Sequence, residues 1–541
     1  MKNLKIYTLL LVSAVIAFSC DEEDKLITDI LVENPLPADE VVTGSSGDDL
    51  DLSVYVALGN SLTAGFQDGA LYTDGQINSF TGLLAQQFQV EGVGGGSYVF
   101  PNINSANGYY LEAGGAVLGK LFLDLDANND GVLGDAEIVP SAGDNNIGTR
   151  ATDDEITNLT NFGVPGINIT DLDDPNLGNP TSDDFNPYYF RFSSDPVTFT
   201  STVLDDAIAR NPTFISLWIG ANDYLGYARA GAASGSVTSA ADFQTQLTAH
   251  LTKLVSSPSS AGAKGVILNL PPVTILPYFR AVPYNAVPLT SQDDVDDLNA
   301  ATAFGGYNAA LDGLAAADPS FSQDDADARK VTYALGANPV LIKDTDLTDL
   351  TAALSGINPA LALYGQVRQA NSTDLMLLPA ATVIGTDAEG LPDVPIGIAN
   401  PLGDEYVLTL SEQGEVGLAR GTYNAIIDGV LANPAFANYT VVDLHPFFAD
   451  AFGLSSGQAE ALGLTAAGID AADGEIGIVY QGYDYQPDFS PNGLFSNDAI
   501  HPNPRGHAIV TNVIIETLND TYGSSIPMVQ INQLRSSPFQ Q

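Results

Sequence analysis

The chain has 541 residues, 45% of them hydrophobic, so it can bury a large core in one elaborated domain or in two. It carries 66 Asp and Glu against 18 Lys and Arg, a formal net charge of -48 at pH 7. Such an acidic surface repels phosphate backbones, so nucleic acid is excluded as an expected partner. The acidity is better explained by solubility than by an acidic binding role.

The first twenty residues have the pattern of an export signal. Lys2 and Lys5 precede an apolar run at residues 6–18, too short to span a bilayer, which needs about 20 apolar residues. Small residues then lead to Cys20. This pattern resembles a bacterial lipoprotein signal, which implies removal of residues 1–19 and lipidation of Cys20. The alternative is an ordinary secretory signal with an incidental cysteine.

The expected product is an exported lipoprotein of the outer membrane or cell surface, held to the membrane through Cys20. Because Cys20 is the only cysteine, the chain can form no intrachain disulfide and no thiolate metal site. Residues 20–50 are rich in Asp, Glu, Pro and Gly, which predicts an acidic flexible tether.

The first element of the folded part is a strand that ends at a glycine and passes a serine to a helix. Residues 53–65 read SVYVALGNSLTAG, with β-forming apolar residues before Gly59 and Ser61 at the predicted start of the helix. Parallel α/β sheets bind ligands at the carboxyl ends of their strands. Ser61 is therefore a candidate nucleophile, although by itself a serine here is more often a helix cap.

Residues 80–88 have helical spacing, and an irregular, glycine-rich insertion with a hairpin is expected over about 90–150. The segment DANNDGVLGDAEI within it has the ligand order of an EF-hand calcium loop. The ligands would be Asp126, Asn128, Asp130, the Val132 carbonyl and Glu137. A structural Ca²⁺ site and an Asn/Asp/Gly turn both remain open, because the flanks read as a strand and a non-helical segment.

A second strand that ends in a glycine-rich turn is predicted within residues 158–169. Further strands are predicted at residues 214–219, 265–270 and 440–444, with helices at residues 243–254 and 505–522. Strands that alternate with helices indicate an α/β fold with a parallel sheet. A second insertion is expected over about 272–420, with helical stretches at residues 298–315 and 350–363. It would form a lid or side wall over the strand ends.

A serine nucleophile needs a base, and the base needs a carboxylate to orient it. His501 is the candidate base, because Asp498 lies three residues before it in a proline-bounded turn. Alone, this pair is equally consistent with a surface turn. Of the four histidines, His445 is the rival, with Asp443 two residues before it, and we interpret it as structural.

An oxyanion forms when the serine attacks, and fixed donors must face it. The Ser61 N–H, the Gly166 N–H and the Asn222 side-chain amide are the candidate donors. Taken singly, Gly166 is more often a loop glycine and Asn222 a turn residue.

Four blocks, Gly59–Thr63, Gly163–Gly166, Gly220–Asp223 and Asp498–Pro502, resemble in this order the SGNH subgroup of the GDSL esterase and lipase family. The resemblance implies a three-layer α/β/α sandwich around a five-stranded parallel sheet over residues 51–525, followed by a tail at 526–541. It assigns Ser61 as nucleophile, Gly166 and Asn222 as oxyanion donors, His501 as base and Asp498 as its orienter. Asn60 departs from the aspartate of the family's name motif, and neither insertion is explained.

The expected function is hydrolysis of lipid, short-chain or acetylated-glycan esters through an acyl-enzyme on Ser61, without a cofactor. The first alternative is a non-catalytic surface lipoprotein that binds glycan or lipid in a hydrolase-like cleft. The second is a calcium-stabilised adhesin, which depends on the Asp126–Glu137 loop alone.

Overall fold

The computed structural model describes residues 42–108, 110–111, 117–124, 137–144, 149–389, 391–462 and 476–540. The predicted signal and Cys20 lie outside these residues, as does most of the predicted tether. The chain divides into two units, residues 1–43 and 44–541, and the second contains nearly all the described residues. Within the part of the chain that is described, no helix is both long and apolar enough to cross a membrane.

The second unit is built on a five-stranded sheet in which every neighbouring pair of strands is parallel. Its strands are β1 (Tyr55–Gly59), β2 (Asn161–Gly163), β3 (Phe214–Trp218), β4 (Lys264–Leu268) and β5 (Tyr439–Val442). All residues of β1, β2 and β3 are buried, as expected for the apolar strands of a parallel sheet. The predicted α/β class, parallel sheet and strand positions are confirmed.

The order of the strands across the sheet is β5-β4-β3-β1-β2. The chain therefore adds β2 on one side of β1 and then β3, β4 and β5 on the other. In open α/β sheets, the point where the winding reverses leaves a crevice at the carboxyl ends of the strands, and ligands bind there. The carboxyl end of β1 is thus the expected place for a site.

Seven helices accompany the sheet: α1 (Ser61–Ala64), α2 (Phe80–Phe88), α3 (Val203–Ile208), α4 (Asn222–Arg229), α5 (Ala240–Ser256), α6 (Leu410–Leu431) and α7 (Pro504–Tyr522). Helix α2 packs against α7, and α5 packs against α6. In α5 the buried residues Phe243, Leu247, Leu251 and Leu254 follow helical spacing, which makes one face apolar. The helices predicted at 80–88, 243–254 and 505–522 are confirmed.

The remaining described helices are Thr73–Ile77, Asp153–Asn158, Pro187–Phe190, Gln292–Asn299, Phe304–Ala317, Gln323–Arg329, Thr351–Ile357, His445–Ala451 and Ser456–Ala461. The remaining described strands are Tyr110–Leu111, Val117–Asp124, Glu137–Ala142, Val287–Leu289, Gly336–Asn338, Leu341–Lys343, Val367–Gln369, Leu375–Met376, Asp387–Ala388, Leu391–Pro395, Val407–Leu408, Ile478–Tyr480, Tyr483–Tyr485 and Phe539–Gln540.

Two helical stretches were predicted as continuous and are interrupted. The stretch at 298–315 breaks after Asn299, whose side chain exchanges hydrogen bonds with the Tyr333 backbone. The stretch at 350–363 breaks at Asn358, which is extended because it precedes Pro359, and a 3₁₀ helix follows. A long-range side-chain contact at Asn299 and a proline after Asn358 thus override the apolar periodicity.

Two groups of buried apolar side chains stabilise the described fold. The larger surrounds the central sheet, and the smaller lies within residues 282–407. The smaller group thus falls inside the predicted second insertion, whereas Val416, Tyr423 and Ile427 of α6 belong to the larger group. A hairpin of Val117–Asp124 and Glu137–Ala142 lies in the predicted first insertion.

Candidate active site

Ser61 is the first residue of α1, directly after the turn that follows β1. Gly59 ends β1 with φ +154, and a side chain there would overlap the Trp218 carbonyl and Thr63. Asn60 then caps α1, because its Oδ1 accepts a hydrogen bond from the Leu62 N–H at 3.1 Å. An amide oxygen thus caps the start of the helix. This sharp strand-to-helix turn holds Ser61 at the carboxyl end of β1.

His501 contacts Ser61 across 440 positions of sequence. Its Nε2 lies 2.9 Å from Ser61 Oγ, and its Nδ1 lies 2.8 Å from Asp498 Oδ2. Because Nδ1 donates to the carboxylate, Nε2 is left as an acceptor and the Ser61 hydroxyl donates to it. Ser61, His501 and Asp498 thus form one continuous hydrogen-bonded chain in the orientation that a serine nucleophile needs.

The Asp498 carboxylate has an unusually complete set of donors. Its Oδ1 accepts from the N–H groups of Ile500 and His501 at 2.9 and 2.8 Å, and its Oδ2 also accepts from the Gly69 N–H at 2.9 Å. Burial alone raises the pKa of Asp498, but the charge and hydrogen bonds of His501 and the Gly69 N–H outweigh burial and hold it well below its usual value. Asp498 is therefore an ionised carboxylate that fixes the tautomer of His501.

The three blocks that follow β1, β2 and β3 meet at one edge of the sheet. Gly59 pairs with Gly163 on one side and with Trp218 on the other, so the carboxyl ends of the three strands are level. Ser61, Gly166 and Asn222 each follow within a few residues. Gly166 has φ +88, a left-handed conformation that favours glycine, and is exposed. Among the described residues, neither the Ser61 N–H nor the Gly166 N–H has a hydrogen-bond acceptor.

Asn222 and Asp223 hold the loop that carries Gly166. Asn222 Nδ2 donates to the Ile167 carbonyl at 2.9 Å, which leaves its second amide proton for another acceptor. Asp223 is buried and accepts from the Ile169 N–H at 3.0 Å and the Thr238 hydroxyl at 2.7 Å. Burial raises the pKa of Asp223 to about 6. The start of α4 thus binds the backbone directly after Gly166, at Ile167 and Ile169.

The other three histidines have separate structural surroundings. His445 Nε2 lies 3.3 Å from Arg420 and 3.4 Å from the Asn424 amide, and its Nδ1 lies 3.4 Å from Asp443. Burial lowers the pKa of His445, so the ring is a neutral acceptor in a network between α6 and β5. His250 Nε2 donates to the Ile169 carbonyl at 2.8 Å. These contacts agree with the structural interpretation of His445.

His507 lies in α7, fully buried, and neither of its ring nitrogens has a partner among the described residues. Burial lowers the pKa of His507 to about 3, which keeps the ring neutral. It stacks near Phe80 at 6.3 Å between ring centroids. Nothing in these contacts gives His507 a role in proton transfer.

The candidate calcium loop falls largely outside the described residues. Asp126, Asn128, Asp130 and Val132 lie there, whereas Glu137 begins a strand and pairs with Asp124. Both flanks of the loop are thus strands rather than the helices of an EF-hand. Within the described residues, no group of three or more His, Cys, Asp or Glu side chains is arranged to hold a metal ion.

Four residues at the site were missed in the sequence. Phe66 lies against His501, with ring centroids 5.1 Å apart, and Tyr188 stands edge-on to Phe66 at 6.4 Å. Asp68 and Gly69 contact the loop that carries Asp498. Phe66, Asp68 and Gly69 follow the nucleophile turn directly, and this adjacency was the only signal that pointed to them. No spacing pattern marks Tyr188.

In comparisons with known proteins, no protein-family model, no curated protein and no solved structure matches the chain.

Proposed function

We propose that the protein is a serine hydrolase that cleaves carboxylic esters through an acyl-enzyme on Ser61. The observation that carries the proposal is the hydrogen-bonded chain from Ser61 through His501 to Asp498, with distances of 2.9 and 2.8 Å. The four sequence blocks that resemble the SGNH subgroup support the same assignment. The packing of α2 on α7 and of α5 on α6 is consistent with that family's three-layer sandwich.

In the first half of the proposed reaction, Ser61 Oγ attacks the ester carbonyl carbon while its proton passes to His501 Nε2. The charge on the carbonyl oxygen is stabilised by the N–H groups of Ser61 and Gly166 and by the Asn222 amide. The tetrahedral intermediate collapses, the carbon–oxygen bond to the alcohol breaks, and His501 protonates the departing alcohol. Asp498 stabilises the imidazolium of His501 from the time that it takes the Ser61 proton until it gives that proton to the alcohol.

In the second half, His501 takes a proton from water, and the hydroxide attacks the acyl carbon. Collapse returns the proton to Ser61 Oγ and releases the acid, so no cofactor is consumed. A calcium ion at the Asp126–Glu137 loop would stiffen that hairpin and take no part in these steps. The substrate is an ester of a lipid, a short-chain acid or an acetylated glycan.

The sharpest test compares Ser61→Ala with Ser260→Ala. Both are buried serines, but among the described residues the Ser260 hydroxyl donates to the Leu254 carbonyl alone. Ser61→Ala should abolish turnover of p-nitrophenyl acetate and labelling by a fluorophosphonate probe, while Ser260→Ala keeps both. Turnover by folded Ser61→Ala would remove Ser61 from the mechanism. If the wild type binds glycan or lipid but neither turns over esters nor labels, the non-catalytic alternative replaces the proposal.

The substrate class is resolved by a panel of esters of increasing acyl length together with acetylated sugars. We further propose that the protein is exported and anchored through a lipid on Cys20. Cys20→Ser should then shift the protein from the membrane fraction to the soluble fraction of the expressing bacterium. An unchanged membrane fraction would contradict the anchor without bearing on Ser61.

A further inference from the structure

The turn after α1 holds the distant loop that carries Asp498. Three hydrogen bonds join them: the Asp68 N–H donates to Ser496 Oγ at 2.9 Å, the Asn497 N–H donates to Asp68 Oδ1 at 2.8 Å, and the Gly69 N–H donates to Asp498 Oδ2 at 2.9 Å. We name this set of contacts the 68–69 clamp. It links the segment of the nucleophile to the segment of the acid, more than 420 positions apart.

The carboxylate of Asp68 is the centre of the clamp. Asp68 is 0% exposed, and besides the Asn497 N–H it accepts the Tyr72 hydroxyl at 2.6 Å on its other oxygen. Its carbonyl accepts from the Leu121 N–H at 2.7 Å. A buried carboxylate without these donors would be costly, so its partners are arranged around it. The carboxyl oxygens of Asp68 therefore accept hydrogen bonds that order the backbone beside Asp498.

The loop that the clamp holds is strained. Ala499, directly after Asp498, has φ +62, a left-handed conformation that is unfavourable for a residue with a side chain. The loop closes on itself through Ser496 N–H to the His501 carbonyl at 2.8 Å, and Tyr278 N–H donates to the Ala499 carbonyl at 3.0 Å. Such a conformation persists only where surrounding contacts over-determine it, and the clamp supplies three of them.

We propose that Asp68 is a positioning residue of the hydrolase, which fixes the Asp498 loop so that the Asp498–His501 pair faces Ser61. This inference depends on the proposed function for its kinetic consequence. Asp68 touches neither substrate nor the reacting atoms, so its effect passes through Asn497 and the backbone to Asp498. A displacement of about 1 Å in such a site lowers turnover by about 100-fold.

The kinetic experiment uses Asp68→Ala, Asp68→Asn and the matched control Asp206→Ala. Asp206, like Asp68, is a buried carboxylate that accepts a tyrosine hydroxyl and a backbone N–H. Its partners are Tyr189 and Ser194, and it accepts the Ser194 hydroxyl as well. With p-nitrophenyl acetate, Asp68→Ala should lower kcat by about 100-fold with KM within threefold. Asp68→Asn should restore most of kcat, since its amide oxygen accepts from Asn497 and its amide nitrogen donates to Tyr72.

Asp206→Ala should lower the melting temperature without lowering kcat. The inference is overturned if folded Asp68→Ala keeps kcat within threefold of wild type, or if Asp206→Ala lowers kcat as much as Asp68→Ala does. Should Asp68→Ala fail to fold, Ser496→Ala replaces it, because it removes only the hydroxyl that accepts the Asp68 N–H. An unchanged kcat in Ser496→Ala would then count against the clamp.

A second readout does not require turnover. In protein labelled with ¹⁵N-histidine, the His501 Nδ1 proton shared with Asp498 should give a downfield resonance in wild type, Asp68→Asn and Asp206→Ala. It should be lost or shifted upfield in Asp68→Ala. If the wild type hydrolyses no ester, the proposed function fails, whereas this resonance still decides whether Asp68 holds the pair. Its persistence unchanged in Asp68→Ala would refute the inference alone.

Discussion

Replacing Asp498 with asparagine gives the most specific test of the triad, because the structure determines how the amide would sit. In the wild type Oδ1 accepts two backbone N–H groups, and Oδ2 accepts His501 Nδ1 and the Gly69 N–H. If the amide oxygen of the new asparagine takes the Oδ1 position, its NH₂ group faces one backbone N–H donor, that of Gly69. If the amide oxygen takes the Oδ2 position, the NH₂ group faces two backbone N–H donors, those of Ile500 and His501. The first orientation is therefore favoured.

In the favoured orientation the amide nitrogen of Asp498→Asn donates to His501 Nδ1. The ring must then carry its proton on Nε2, which becomes a donor and can no longer accept the Ser61 proton. A wrong tautomer of this kind lowers kcat by about 10⁴-fold, or about 5.4 kcal/mol of activation free energy. KM should change little, because Asp498 makes no contact with the ester.

The assay is the steady-state turnover of p-nitrophenyl acetate, with Asp206→Asn as a matched control for loss of a buried carboxylate charge. Asp206→Asn should keep kcat. A kcat for folded Asp498→Asn within tenfold of wild type would refute the assignment of Asp498 as the group that orients His501. A loss of equal size in Asp206→Asn would show that the effect comes from general destabilisation instead.

Three further outcomes are expected. Asn222→Ala should lower kcat by about 100- to 1000-fold with KM nearly unchanged, since its amide faces charge only in the transition state; an equal rise in KM would count against this role. His445→Ala should lower the free energy of unfolding by about 1–3 kcal/mol, measured in urea, because it removes the ring nitrogen that accepts from the buried side chains of Arg420 and Asn424, while kcat is retained; loss of turnover would make His445 the base. Burial, the largest cause, raises the pKa of Asp68 from 3.8 to about 7. The folded state therefore binds more protons than the unfolded state over that range, and stability present below pH 4 is lost as the pH rises through 7. The free energy of unfolding of wild type relative to Asp68→Asn should then fall by up to roughly 4 kcal/mol between pH 4 and pH 8, and parallel urea curves across this range would contradict it.

Local sequence was sufficient to predict most strands of the central sheet. The apolar runs that end at Gly59 and Gly220 predicted two of its strands, because a parallel strand buried on both faces is rich in apolar side chains. Predictions failed where a single contact or a proline outweighed periodicity, as at Asn299 and Pro359. Apolar spacing does not encode an exchange of hydrogen bonds with a residue such as Tyr333, more than 30 positions away.

The candidate site was predicted from residue types in order, but its supporting residues were not. Ser61, His501 and Asp498 could be proposed because proton transfer from a serine requires those side chains. No reaction step requires an aspartate at position 68, and no spacing pattern distinguishes Asp68 from the many other aspartates of this acidic chain. Its role becomes visible only from its hydrogen-bond partners in the structure. Tyr188 likewise became part of the site only through its ring contact with Phe66.

The amino-acid order by itself determined the strand-to-helix turn at Ser61 and the short turn that sets Asp498 beside His501, since each depends on neighbours within a few residues. Only the tertiary structure decided that His501 reaches Ser61 and that Asp68 holds the acid loop. These contacts join positions more than 420 residues apart. The loop of Asp498 and His501 leads into α7, and α7 packs against α2, which follows the Ser61 turn. The contacts thus depend on the packing of distant helices and not on any local pattern.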